Sequence, residues 1–497
     1  MTPSGLAYAQ PYPGATTCIL LGPPAAGADF SDFAGVLWFV DATGAAGAPP
    51  SAPAWQAVPL ERLDTDRLQA VVERFVLGDP RHLPSVFVAE ASLHEHAEAY
   101  QVVLTTVCAQ LERLHQSRLS RQRHGFVRQR HVLQNLPAYV RRRLPPSWRG
   151  ALRGRTAFVC GAGASLAASA PALAAQEGKR VIIAVDAALR RLADRRVAAD
   201  LAVSVDVARG PAECLPAELF PAHTVLSAES PPAWQEALPP ATVWFAASRQ
   251  ITTAWLEDAG VTWPDLAALE HAESTALELA RYLGCAPIYL FGFDLALDTR
   301  EAVLRYAEGS RAPMFAAAES EAVGRVPEIP GNYGRVVPTD VLDEWRIVDA
   351  RLASWPAGLV YNVTDRGAAL RNTTLLHPDN FALPEPGSRS PLRMRLPEPE
   401  PVDAAVLEAA FGQVRETARR ASAGLAGLRA ALARGGPPAL ASALRPLFAD
   451  QAIGRVLGAF SLKIMPHLMP PLEGDAAFWG ALVEEYAELL ALAQAVR

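Results

Sequence analysis

Between residues 156 and 385, short runs of consecutive apolar residues alternate with stretches of helical periodicity. The runs 156–160 (TAFVC), 181–186 (VIIAVD), 200–206 (DLAVSVD), 223–228 (HTVLSA), 242–247 (TVWFAA), 287–293 (PIYLFGF) and 358–363 (GLVYNV) have strand length. Several are apolar at nearly every position, as strands covered on both faces must be. Helical spacing follows at about 166–177, 187–196, 274–284 and 340–353. Such alternation predicts an α/β fold with a mostly parallel, doubly wound, Rossmann-like sheet.

The flanks carry other patterns. Residues 1–115 read as a small α/β domain, with strands at 18–22, 36–41 and 85–90, helices at 66–77 and 94–115, and an Ala/Pro/Gly-rich loop at 45–58. Residues 116–155 read as an Arg-rich helical connector, 156–385 as the central domain and 386–401 as a Pro-rich linker. Beyond it, 402–434, 438–461 and 475–496 are Ala/Leu-rich with helical spacing, interrupted by GGPP and by a Pro-rich turn near 466–471. They predict a helical C-terminal domain, and no repeat of fixed period is present.

The chain's 497 residues suit about three domains. Half of them are hydrophobic and 20% charged, which excludes wholesale disorder. A net charge of −6 argues against a general polyanion binder, nucleic acid included. Within that acidic balance, 114–155 holds eleven arginines, from Arg118 to Arg155, and no acid. Either this segment packs on an acidic neighbour or it forms an electropositive rim that steers an anionic substrate. Only Lys179 and Lys463 are lysines, a skew that reads as coding bias. Five scattered cysteines without a CxxC pair exclude a zinc ribbon or disulfide framework and favour a reducing compartment. With no signal-peptide pattern and no apolar run of about 18 residues, a soluble cytoplasmic protein is expected.

Candidate chemistry gathers where the strands end. The first central strand runs into Cys160-Gly161-Ala162-Gly163-Ala164-Ser165-Leu166 before a helix. Gly161 and Gly163 permit close backbone approach, and free amides at a helix start together with the Ser165 hydroxyl suit a phosphate. The Walker lysine is absent. Asp186, Asp206 and Asp294 close or follow three further strands, at the edge that lines the ligand crevice of an open parallel sheet. Asn332, Thr339, Asn362 and Thr364 lie beside glycines and suit a sugar or nucleoside, or serve ordinary turns. His377 is a candidate general base, as is Asp294. Neither GxSxG nor HExxH occurs.

Taken together, these segments resemble the motility associated factor (Maf) flagellin glycosyltransferases, which share a core with the archaeal 6-hydroxymethylpterin pyrophosphokinase (MptE-like) proteins. The resemblance rests on Phe158–Leu166, Ile183–Arg190, Ala199–Asp206, Ser274–Ala280 leading into Pro287–Ala296, Gly331–Thr339 and Tyr361–Ala368. It covers about 150–380 well and 60–150 loosely. It implies a sialyltransferase-like central domain that uses a CMP-activated nonulosonic acid, of pseudaminic or legionaminic type, and glycosylates Ser/Thr hydroxyls of flagellin. It adds Ser274 to the binding residues. Two positions depart from the family's usual pattern: Ala164 stands where a proline is common, and Phe293 where a glutamine is common, with no histidine between Leu297 and Arg311. The donor sugar and the base are therefore left open. The shared core also admits pyrophosphoryl transfer from ATP to a pterin, with magnesium held by Asp186, Asp206 and Asp294. A non-catalytic scaffold on the same fold is the third reading.

Overall fold

The computed structural model describes residues 4–12, 14–41, 48–63, 65–78, 82–93, 97–175, 180–248, 256–263, 266–269, 271–297, 328–381, 396, 402–468, 472 and 474–497. The linker at 386–401 falls, apart from Leu396, outside these residues, as does most of the stretch between Leu297 and Arg311. The described chain forms two compact units, one up to Gln122 and one from Arg123 onward.

The first unit holds a five-stranded sheet of β1 (Leu6–Gln10), β2 (Thr17–Leu21), β3 (Gly35–Val40), β4 (Trp55–Pro59) and β5 (Ser85–Ala89), in the order β1-β5-β2-β3-β4. Only β1 runs antiparallel to its neighbour. The three central strands are the apolar runs read from the sequence. The two edge strands were not legible: β4 falls almost wholly in the segment expected to be a loop, and all its residues but Val58 are exposed.

The second unit is built on an eight-stranded sheet. Its strands are β6 (Ala157–Cys160), β7 (Val181–Val185), β8 (Leu201–Ser204), β9 (His223–Leu226) and β10 (Val243–Phe245). After the two-residue pair β11 (Ala247–Ser248) and β12 (Ala267–Ala268) comes β13 (Ile288–Phe291). A small hairpin, β14 (Glu328–Pro330) and β15 (Val336–Pro338), precedes β16 (Val360–Val363) and β17 (Thr373–Leu376). The large sheet has the order β10-β9-β8-β7-β6-β13-β16-β17, and every pair in it is parallel. All seven predicted central strands are present; β17, with the mixed sequence TTLL and an exposed middle, is the addition.

The strand order grows leftward from β6 through β7 to β10, then rightward from β13 to β17. The switch point therefore lies between β6 and β13. Right-handed crossovers in opposite directions place their helices on opposite faces. Phe158, Tyr289 and Phe291 pack on Phe381, beside helix Leu166–Ala174, on one face. Helices Ala272–Tyr282 and Leu342–Ala353 pack on each other, the former against β6, β7 and β8, on the opposite face.

The Arg-rich segment is helical in its first part. A single helix, Ala97–Arg141, runs through its first part, and Leu144 and Trp148 beyond it are buried in the main core. Several of its described arginines meet neighbours. Arg128 pairs with Glu229 at 2.9 Å, while Arg141, Arg142, Arg143 and Arg149 lie over Phe411, Trp244, Trp263 and Tyr282. The C-terminal helices Ala404–Ser422, Leu425–Ala449 (kinked at Gly436, φ +64°), Gln451–Val456, Gly458–Ile464 and Ala476–Gln494 share one apolar core with the sheet. Among the described residues, no helix is long and apolar enough to cross a membrane.

Trp148 is fully buried and touches the rings of His223 and Trp244. Trp148→Ala should cost about 3–5 kcal/mol of stability. Urea unfolding reads this, and a loss under about 1 kcal/mol would show the segment to be peripheral.

Candidate functional site

The carboxyl ends of β6 and β13, on either side of the switch point, carry the glycine turn and Asp294. Gly161 N–H donates to Phe291 O and Gly163 N–H to Gly292 O, both at 2.8 Å. A Cβ on Gly161 would fall 2.6 Å from Gly292 O, and one on Gly163 would fall 2.6 Å from Asp294 Cγ. Both glycines are thus required by the close approach of the protein's own next strand.

Asp294 is 2% exposed. Its Oδ2 accepts the Ser165 N–H at 2.7 Å, and its Oδ1 accepts the Ser165 hydroxyl and, at 3.5 Å, that of Thr364. The place at the start of helix Leu166–Ala174 where a phosphate was expected is filled by this carboxylate. It meets the same free amide and the same dipole that would attract an anion. Burial raises the Asp294 pKa, and the two bonds from Ser165 oppose that rise. On the other side of the turn, Arg191 donates to the carbonyls of Ala162 and Gly163. The turn is held between a carboxylate on its amides and a guanidinium on its carbonyls.

Asp294's backbone extends the assembly. Ala368 N–H donates to Asp294 O at 2.7 Å, and Gly367 is required twice over, by its φ of +80° and because a side chain there would meet Asp294. Asn332 Nδ2 donates to Arg366 O and Ala368 O, tying the 331–334 turn to the end of β16. Thr364 donates to Arg366 O, and Thr339 donates to Leu295 O while accepting Val341 N–H. Ser165, Asn332, Thr339 and Thr364 therefore stand at the predicted edge with their polar atoms bonded to the protein itself.

His377, at the tip of β17, is partly exposed. Its ring stands 6.3 Å from that of Tyr333, and its Nδ1 lies 3.3 Å from Asp379 N and 3.5 Å from Asp379 Oδ2. Asp365 in the adjoining loop pairs with Arg366, which lowers its pKa.

A second group forms over β7 and β8. Asp186 is buried, accepts the Ser204 hydroxyl at 2.7 Å and has Arg209 Nη1 at 3.7 Å. Burial raises its pKa to about 6, against the pull of Ser204 and Arg209. Glu344, in the first turn of helix Leu342–Ala353, hydrogen-bonds to Glu273 in the first turn of helix Ala272–Tyr282. Burial and that neighbouring carboxyl push Glu344 far above the ordinary range. Ser274 donates to His271 O and so fastens its own helix start. Asp206 is exposed and accepts Ala208 N–H at 2.8 Å.

Sequence reasoning missed Arg191, Arg209, Glu273 and Glu344, which look like ordinary helix and loop charges. Asn362 is 1% exposed on β16, and neither its Nδ2 nor its Oδ1 has a hydrogen-bond partner. Among the described residues no cluster of His, Cys, Asp and Glu is arranged to hold a metal ion. The magnesium site expected from Asp186, Asp206 and Asp294 is not formed: Asp294 is turned onto Ser165 and Asp186 onto Ser204.

A doubly wound sheet with a glycine turn and acids at its switch point defines a Rossmann-like α/β protein. Residues 130–300 match the model of the 6-hydroxymethylpterin diphosphokinase MptE-like family. The fold is also that of a Maf glycosyltransferase from Magnetospirillum magneticum AMB-1, at TM-score 0.50 and 14% identity, over 97% of this chain and 78% of that one. No curated protein sequence matches the chain. The central segment is thus similar to the MptE-like model, in a fold that resembles that of a Maf glycosyltransferase.

Two outcomes follow. Gly163→Ala should destabilise the protein by at least about 2 kcal/mol, because backbone and a buried carboxylate must both move; denaturant unfolding measures it. Asp186 titrates near 6 folded against 3.8 as an ordinary aspartate. Stability should therefore fall as pH rises from about 4 to 6, by roughly 3 kcal/mol from this group. In Asp186→Asn that slope should flatten in unfolding curves taken at pH 4, 5 and 7.

Proposed function

We propose that the protein is a glycosyltransferase that moves a nonulosonic acid, of pseudaminic or legionaminic type, from a CMP-activated donor to Ser/Thr hydroxyls of flagellin. The observation that carries this is the glycine turn at the switch point of a fold shared along nearly the whole chain with a Maf glycosyltransferase. Cytoplasmic placement belongs to the same proposal.

In this reading Gly161, Gly163, Ser165 and Asp294 form the floor of the donor site, and the donor phosphate lies above it, near Arg191 and Arg209. Asp206, exposed on the rim, suits the ribose hydroxyls. Asn332, Thr339 and Thr364 shape the wall against which the sugar rests. The glycosidic bond to CMP breaks through an oxocarbenium-like centre, and the acceptor oxygen bonds to that carbon as it loses its proton. We assign the proton to the His377 imidazole; its Nδ1 accepts the Asp379 N–H at 3.3 Å and has Asp379 Oδ2 at 3.5 Å, a carboxylate beside the ring as it becomes charged. Asp294 already takes the amide and the hydroxyl of Ser165 on its carboxylate and is assigned to hold the turn.

The family match of residues 130–300 favours a second reading, pyrophosphoryl transfer from ATP to a pterin. The test is product analysis with the full chain. CMP release together with a mass increase on flagellin supports glycosyl transfer; AMP release with hydroxymethylpterin supports the second reading. Neither product leaves a scaffold. Within the first reading, His377→Gln should lower turnover by about 100-fold or more with little change in donor affinity.

A further inference from the structure

We infer that Tyr333 is a positioning residue: its ring holds the imidazole of His377 at the angle from which it takes the acceptor's proton. The inference rests on the proposed function and deepens it by assigning what keeps the general base in place.

The backbone of Tyr333 begins the argument. It stands at φ +59°, ψ 32°, in the left-handed region, between Asn332 and Gly334. Turns usually place glycine or asparagine there, and a bulky aromatic residue is strained. Burial does not offset that strain, since 46% of the residue is exposed. Residues in sparsely populated conformations persist where their surroundings over-determine them, and they cluster at functional sites.

The surroundings of Tyr333 do over-determine it. Just before it, Asn332 N–H donates to Gly367 O at 2.9 Å, and the Asn332 side chain bonds Arg366 O and Ala368 O. At the far end of the ring, the hydroxyl donates to Thr364 O at 2.8 Å. Burial and the nearby Asp365 raise its pKa, which keeps that hydroxyl a donor. The ring is therefore pinned at both ends to the loop that follows β16. Thr364 also places its own hydroxyl 3.5 Å from Asp294 Oδ1, so the anchor belongs to the floor of the proposed donor site.

His377 is what the pinned ring meets. The two rings lie 6.3 Å apart with their planes at 65°, the edge-to-face arrangement in which aromatic pairs attract. His377 caps the short turn Pro378–Asn380, where its Nδ1 accepts Asp379 N–H at 3.3 Å. One long hydrogen bond lets an imidazole swing about it. A second contact, at a fixed angle, removes that freedom. A glycine at 333 would relieve the backbone and leave the imidazole to swing. A general base acts only when aligned within hydrogen-bond reach of its proton, so the swing would lower the rate and not the binding of donor.

The experiment uses the full chain with the CMP-activated donor and flagellin. Tyr333→Asn keeps a residue that tolerates the turn and removes the ring; Tyr333→Phe keeps the ring and removes the hydroxyl. Tyr333→Asn should lower kcat about tenfold, with donor KM unchanged and the melting temperature within a few degrees, and Tyr333→Phe should restore most of the rate. In a His377→Gln background, Tyr333→Asn should bring no further loss. Losses that multiply would assign Tyr333 to the substrate or to the fold and overturn the inference. Proton NMR of the His377 ring, assigned by its disappearance in His377→Gln, needs no turnover. Its shifts should move in Tyr333→Asn and largely persist in Tyr333→Phe. Unmoved shifts in Tyr333→Asn would overturn the inference whatever the reaction. Full activity of His377→Gln, with the shifts moved as expected, would instead remove the base assignment of the proposed function, and the positioning role with it, while the ring contact stands.

Discussion

The second unit depends on a buried carboxylate placed where a helix begins. Asp294 closes the end of β13 onto the turn after β6, and those strands meet where the sheet reverses its order of growth. The interaction replaces water around a charged group with an amide, two hydroxyls and the positive end of a helix. Such a group is well kept only while every donor stays aligned. Gly161, Gly163, Gly292 and Gly367 are the backbone counterpart, since each lets another segment approach this carboxylate or its carbonyl neighbours.

This arrangement changes what a glycine turn means. In a dinucleotide fold the lack of side chains lets a phosphate approach. Here the same lack lets a neighbouring strand approach, and the anion at the helix start is covalently part of the chain. A ligand in the crevice therefore meets a surface already neutralised. Its own charge must be answered by cations of the rim, of which Arg191 stands at the turn and Arg209 beside Asp186.

The central strands were readable because burial on both faces writes itself as unbroken apolar runs. The glycine turn and the acids at strand ends were readable for a related reason: parallel topology sends all of them to one edge. What a side chain does there was not readable. Ser165, Asn332 and Thr339 carry the right chemistry for a ligand, yet each is engaged by backbone or by Asp294, a fact fixed by residues 30 to 130 positions away. Glu344 sits in DEWRIVDA, which reads as the polar face of a helix, and only its meeting with Glu273 makes it unusual. Strands β4 and β17 escaped because sheet edges need not be apolar.

The scarcity of lysine, taken first as an accident of coding, has become something the fold relies upon. Arg141, Arg142, Arg143 and Arg149 hold their guanidinium groups over the rings of Phe411, Trp244, Trp263 and Tyr282. A spherical, tightly hydrated ammonium does not stack in that way. At this seam a lysine would keep the charge but give up the broad face that a guanidinium offers a ring, so the choice between the two bases is one of contact as well as of charge.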